Sequence, residues 1–272
     1  MRDEIYQREL GWMELVARAF FEFFQNIRGI LFVMVVVFLP VVLLDSVILT
    51  RLNAINSFLS TVQAAGTFLE NREGIMQAMN HTIIGSVLSM AIELFLVPVG
   101  TIAIAKIVKQ RIDGEEPDVK TALKEALALG PTIILTGLIY GVLVTLGMIV
   151  LMPGIWYSVF AGLYVYCIGL GGRKGWDSLN HSGELVRGRW WRTAGYIIAL
   201  NCLGALWNML FQAILVFGGS NFAATAIYGF FTYFSTIFAE IGLVLLFINR
   251  ESQYLGWQPF GEKKKEELNF TE

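Results

Sequence analysis

Six apolar runs, roughly 29–50, 83–105, 131–152, 154–172, 194–217 and 222–249, divide this chain of 272 residues. Each approaches the ~20 residues that an α-helix, rising about 1.5 Å per residue, needs to cross ~30 Å of hydrocarbon. The stretches between them share the basic residues unequally. Eighteen of the 20 Lys and Arg lie before the first run, between the second and third, between the fourth and fifth, or after the sixth; only Arg51 and Arg72 fall in the remaining connections. Positive residues are retained on the cytoplasmic side during insertion. The pattern therefore predicts an all-α, polytopic membrane helical bundle of six transmembrane helices with both termini cytoplasmic.

Composition points the same way, because 56% hydrophobic and 15% charged residues fall far from the roughly one-quarter charged content of soluble domains. The formal charge of −2 says little about partners, since the acidic residues sit mostly beside basic ones in the polar stretches. The expected partners are membrane lipids, anionic ones among them, and not nucleic acid. The first apolar run follows an amphipathic segment of nearly thirty residues and has no small-residue cleavage site behind it, so it is expected to stay as an anchor. Cys167 and Cys202 both lie inside apolar runs and suggest neither a disulfide framework nor a metal site. Asn80-His81-Thr82 matches the acceptor pattern for glycosylation, a pattern that matters only in a eukaryotic secretory setting.

The chain reads as one integral membrane domain over 1–272: an amphipathic interfacial helix over 1–28, a six-span bundle over 29–249 and a cytoplasmic tail over 250–272. In the first of these, Trp12, Val16, Phe20, Phe23 and Ile27 recur at helical spacing, which suits a helix lying in the inner interface. Glu14–Arg18 and Arg18–Glu22 add i,i+4 support. Asp118 to Leu129 and Trp176 to Trp191 read as further interfacial helices, so that three units of interfacial helix plus apolar hairpin follow one another. Residues 51–82, with Leu52, Ile55, Leu59 and Val62 at helical spacing, are expected to form short helices resting on the outer surface. Pro153-Gly154 and Gly218-Gly219-Ser220-Asn221 mark tight turns on that side.

Residues 82–204 resemble a bacterial six-span family. The resemblance rests on Ala122-Leu123-Lys124-Glu125-Ala126, on Leu151-Met152-Pro153-Gly154-Ile155-Trp156, and on the stretch from Ser182-Gly183-Glu184-Leu185-Val186 through Arg187-Gly188-Arg189-Trp190-Trp191-Arg192. It is similar to the YciC-like inner-membrane proteins and to the membrane domain attached to some glycerophosphodiester phosphodiesterases. The resemblance implies six spans in a prokaryotic plasma membrane and brings no established activity. The enzymatic relatives carry their chemistry in a separate soluble barrel, with His, Glu and Asp around a metal. This chain has only His81 and His181 and no long soluble segment, so that activity does not carry over.

A charge near the bilayer centre costs at least ~2.5–3.5 kcal/mol on insertion scales, which makes intramembrane ionisable residues the first functional suspects. Asp45, six residues before Arg51, is expected to reach the outer interface. Glu93 and Glu240 are deeper. Ser86, Ser89 and Glu93 share one helical face, Tyr233, Thr236 and Glu240 another, and Asn201, Asn208 and Gln212 a third. One reading is a polar seam among the second, fifth and sixth spans that binds a ligand or passes protons. The other is interhelical glue, in which such groups hydrogen-bond at roughly 0.6 kcal/mol each. Gly137 and Gly141 form a GxxxG suited to close packing or to self-association into a homo-oligomer. Arg187, Arg189, Trp190, Trp191 and Arg192 place cations beside indoles at the inner interface, which reads as anchoring or as lipid-headgroup binding. No Walker-type loop, metal-ligand spacing or Ser/His/Asp arrangement can be nominated, so no cofactor and no enzymatic activity is expected. The function expected is a structural, regulatory or lipid-associated role in the envelope; the alternative is a small transporter or immunity-type exporter that uses the glutamate seam.

Overall fold

A computed structural model describes residues 2–67, 70–219 and 221–257, which are helical apart from short connections, with no strand among the described residues. Ser220 and most of the expected tail, including Lys263, Lys264 and Lys265, lie outside them. Six helices are long and apolar enough to span a membrane: Ile27–Ala65, Arg72–Ile112, Gly130–Met148, Met152–Gly169, Trp190–Gly218 and Phe222–Tyr254. They are called the first to sixth long helices below.

The first two differ from expectation in length. Residues 51–65 do not form separate surface helices: the first long helix runs on to Ala65, and the second begins at Arg72. No Gly or Pro interrupts Val41 to Ala65, so the spacing of Leu52, Ile55, Leu59 and Val62 continues the same helix instead of starting new ones. Gly66, with φ 68°, ends it in the left-handed conformation that glycine accepts without steric cost. The 39 and 41 residues correspond to about 58 and 61 Å of helix, so this pair extends well past a hydrocarbon layer. A π-helical turn at Met34–Phe38 precedes Pro40, where the missing N–H and the ring would strain a regular turn.

The N-terminal stretch is a strap rather than one helix. Helices Arg2–Gln7 and Trp12–Gln25 are separated at Gly11, and the segment between them crosses the end of the bundle where most of the basic residues gather, here called the basic end. Asn249 on the sixth long helix donates to the carbonyls of Ile5 and Arg8, both at 2.8 Å, and accepts from the Leu10 amide at 3.3 Å. The Tyr196 hydroxyl donates to the Leu10 carbonyl at 2.9 Å, and the Tyr6 hydroxyl to Asp113 at 2.8 Å. Beyond the strap, Leu15, Ala19 and Phe23 are buried. Phe20 packs at a tilt on Phe238 and Phe23 edge-on against Phe234 of the sixth long helix, with ring centroids at 4.3 and 4.9 Å. The aromatic face expected to lie in lipid is thus largely spent on the bundle, because Trp12–Gln25 docks against the most enclosed helix.

Helix Val119–Ala128 is capped by Asp118, whose carboxylate accepts from the Lys120 and Thr121 amides; the four orphan N–H groups of a helix start favour Asp there. Helix Trp176–Val186 stops short of Trp191, because Gly188 at φ 77° breaks the chain. The fifth long helix then starts at Trp190.

Between the third and fourth long helices the turn is tight, as its Pro-Gly predicts. Leu151 holds φ 64° and ψ −64°, and the Met152 amide donates to the Val150 carbonyl at 2.8 Å, a strained γ-turn. Gly147 and Gly154 lie back to back: a Cβ on Gly154 would meet the Met148 backbone nitrogen at 2.5 Å. Met152–Gly169 is also interrupted at Ala161–Leu163. Its stretch from Trp156 to Leu163 is fastened to residues near the basic end. The Trp156 carbonyl accepts from the Trp190 indole at 3.1 Å, the Phe160 carbonyl accepts from Ser182 Oγ at 3.0 Å, and the Leu163 amide donates to Ser182 Oγ at 3.1 Å.

Candidate functional site

The intramembrane polar groups form two separate clusters, not one seam. On the second long helix, the Ser89 hydroxyl donates to Asp45 and lies 3.3 Å from Glu93 Oε1. Asp45 therefore does not turn to the outer interface; the first and second long helices pack so that it faces Ser89. The two carboxyls thus flank one hydroxyl, and Tyr233 of the sixth long helix lies near both. Its ring packs on Phe38 at 5.2 Å.

Glu240 belongs elsewhere. It accepts from the Tyr166 hydroxyl of the fourth long helix, with Tyr164 near it. The expected meeting of Glu93, Glu240 and the fifth-helix amides does not occur. Asn201 is exposed and donates to its own helix at Ile197, Gln212 is exposed and Asn208 half-buried. The fifth long helix turns most of its surface away from the bundle, so Asn201 and Gln212 of its polar stripe face outward. Ser86 and Thr236 are exposed too, Thr236 bonding to the Thr232 carbonyl within its helix. Spacing correctly put these residues on helical faces, but it could not say which faces pack together.

Residue spacing gave no sign of a third cluster. His181 is fully buried; its Nε2 lies 2.6 Å from Glu251 and its Nδ1 3.4 Å from Glu184. The Tyr254 hydroxyl donates to Glu184 at 3.0 Å and its ring meets the imidazole edge-on. The only available signal was a histidine on an amphipathic helix next to Ser182-Gly183. Its partner comes from 70 residues away, which no local pattern reveals. No group of three or more His, Cys, Asp or Glu side chains arranged to hold a metal ion occurs among the described residues.

The basic end carries the remaining chemistry. Glu9 on the strap binds Arg192 at 2.6 Å and Arg250 at 2.8 Å. Burial pushes the Glu9 carboxyl up, but the Arg192 hydrogen bond and the charges of Arg250, Arg192 and Arg189 prevail and hold it below the ordinary range. Of the expected headgroup residues, Arg192 is thus engaged by the strap. Trp190 donates to Trp156, while Arg187, Arg189 and Trp191 are exposed.

Two adjoining cavities open beside the helix Trp12–Gln25. One, of about 300 Å³, is lined by Arg18, Phe21, Glu22, Gln25 and Arg111 among others. The second, of about 200 Å³, shares Gln25 and Arg111 and adds Arg28 and Asn26. Glu22 is buried, and that burial raises its carboxyl above the usual value, opposed by the Asn26 hydrogen bond and by Arg111 and Arg18. Glu22 is the only acid among the described residues lining either cavity, while the guanidiniums of Arg18, Arg28 and Arg111 border the space.

No family model matches the chain, and neither a curated protein nor a solved structure matches it. What the fold defines is the class: a multi-pass α-helical membrane protein, with carboxyls at two separate places within its long apolar helices and an arginine-lined recess at one end.

Proposed function

We propose that this chain is a non-enzymatic, lipid-associated protein of a prokaryotic plasma membrane, with both termini and the basic end cytoplasmic. The observation that carries this reading is the pair of cavities bounded by Arg18, Arg28 and Arg111. Basic recesses between helices at the cytoplasmic side suit anionic lipid headgroups, and a guanidinium fork matches phosphate oxygens. Phe21 and Ile112 offer the glycerol region an apolar wall. Exposed Arg187 and Arg189, next to Trp191, extend the same charge along the interface. The likeness to YciC-like proteins supports the membrane assigned. A second copy of the chain is a further proposed partner, at the face of Gly141, where no neighbour lies within 4 Å.

The test is phospholipid retained through detergent purification. Arg28→Gln with Arg111→Gln, both exposed and so tolerated by the fold, should lower bound anionic phospholipid severalfold. Arg51→Gln at the other end should not. Unchanged lipid in the double variant refutes the reading. Displacement of lipid by millimolar inorganic phosphate would assign the recess to a free anion instead.

A second reading, a small proton-coupled transporter or exporter, is favoured by one observation: Asp45 and Glu93 meet at Ser89 within the apolar layer. Intramembrane carboxyl pairs mark proton and ion paths. Glu93→Gln keeps size and hydrogen bonding and removes one ionisation; proteoliposomes in which wild type and variant take up protons equally refute this reading.

A further inference from the structure

A helix pair that crosses a bilayer and returns places its turn at the far face, ~30 Å from its roots. The turn at Ile149–Met152 is elsewhere. Trp156, Phe160 and Leu163 are each hydrogen-bonded to residues at the basic end: Trp190, two residues before the Arg192 of the ion pair with Glu9, and Ser182. Ser182 adjoins His181, which bonds to Glu251 at the basic end of the sixth long helix. From Trp156 back to Met152 is about 6 Å of helix, and the three turn residues add at most ~10 Å. The tip therefore lies within ~16 Å of Trp156 and of its bond to the Trp190 indole, about half the thickness of the hydrocarbon.

We infer that the hairpin Gly130–Met148/Met152–Gly169 enters only the leaflet on the basic side, so that the chain crosses the membrane four times. Its exposed tip at Ile149–Met152 is covered by the acyl chains of that leaflet. Three observations select this occupant. No charged residue occurs from Pro131 to Gly172. Ile149, Val150, Leu151 and Met152 at the tip are 78, 69, 64 and 76% exposed, more apolar surface than water tolerates in one place. The roots carry Lys120 and Lys124 on one side and Arg173 and Lys174 on the other, where headgroups lie. Such a hairpin widens one leaflet only, so it acts as a wedge, and membrane association through it is curvature-sensitive. The inference goes beyond the headgroup reading and stands whether or not the arginine recess holds lipid.

The test uses the full chain with Cys167→Ala and Cys202→Ala, reconstituted in liposomes. Spin labels on Val150→Cys are paired with one on Leu255→Cys, at the basic end, and separately with one on Phe217→Cys, at the opposite end. The expected double electron–electron resonance result is a shorter Val150–Leu255 than Val150–Phe217 distance; the reverse order overturns the inference. On intact cells, the membrane face from which an impermeant maleimide reaches Ser60→Cys should leave Val150→Cys unlabelled. Labelling of both from that face overturns it equally. Should the Val150 variants fail to fold, Ile155→Cys, exposed on the next turn, repeats both measurements with the same criteria.

Discussion

Asn249→Leu isolates what holds the N-terminal strap. The side chain is 2% exposed, and it donates to the Ile5 and Arg8 carbonyls at 2.8 Å and accepts from the Leu10 amide at 3.3 Å. Leucine conserves the volume and removes all three bonds. Each protein hydrogen bond contributes about 1 kcal/mol net, so the three together stabilise the docked strap by roughly 3 kcal/mol. Ser252, bonding Ile5 at 3.4 Å, and the Glu9 ion pairs remain. The strap can lift locally without unfolding the bundle, and 3 kcal/mol converts to about a hundredfold in its opening equilibrium. Hydrogen exchange of the peptide containing Leu10, followed by mass spectrometry in detergent, should quicken by about that factor, while peptides of the second long helix keep wild-type protection. Exchange within a few-fold of wild type in the strap would show that Asn249 does not fasten it. Equal acceleration everywhere would show that the strap is part of the global core.

At the tight turn, Gly154→Ala forces Met148 to move and should lower thermal stability by about 1–3 kcal/mol, whereas Gly141→Ala, with open space around it, should be near neutral in the same melt. His181→Phe leaves buried Glu251 without its partner and should cost about 1.5–3 kcal/mol; an unchanged melting temperature would show that the pair adds nothing. The pH dependence divides between two carboxyls. Glu22 is raised in the fold by burial, so the stability it contributes is present below its unfolded value near 4.5 and lost as pH rises through the folded value. Glu22→Gln should therefore stabilise at pH 7 and have little effect at pH 4. Glu9 is lowered; its contribution is present above the unfolded value and lost as pH falls through the folded one. Glu9→Gln should weaken the strap at pH 7 and not at low pH. Melting temperatures at pH 4 and pH 7 check both signs, and opposite signs would refute the assignments.

Much of the helical order was legible because apolar length is a local property. The six runs, the helix beginning after Asp118, the Pro-Gly turn and the faces carrying Ser89 with Glu93 all follow from residues within a few positions of one another. What was not legible depended on which helix faces meet. Asp45 was expected at the interface from its distance to Arg51, yet its partner is Ser89, 44 residues on. Glu240 was expected to meet Glu93, yet Tyr166 takes it, 74 residues back. Arg192 pairs with the strap's Glu9, a partner to which no helical period links it.

The same limit explains why charge placement could not separate four crossings from six. Positive residues report the side on which a connection stays, and Lys120, Lys124, Arg173 and Lys174 all report the basic side for the hairpin between them. A pair of helices that traverses and returns, and a pair that enters one leaflet and returns, begin and end on the same side. Their flanking charges are identical, and so is the placement of everything downstream. Hydropathy does not separate them either, since both need apolar residues throughout. The distinction lies in where the middle of the pair is fastened, and here that is set by Trp156 to Trp190 and by Phe160 and Leu163 to Ser182. Of these, the indole bond is the one that a substitution tests most directly. Trp190→Phe keeps the ring and removes the donor, and should free the tip without unfolding the long helices. The Val150–Leu255 distance distribution should then broaden toward longer values; an unchanged distribution would place the hold on Ser182 alone.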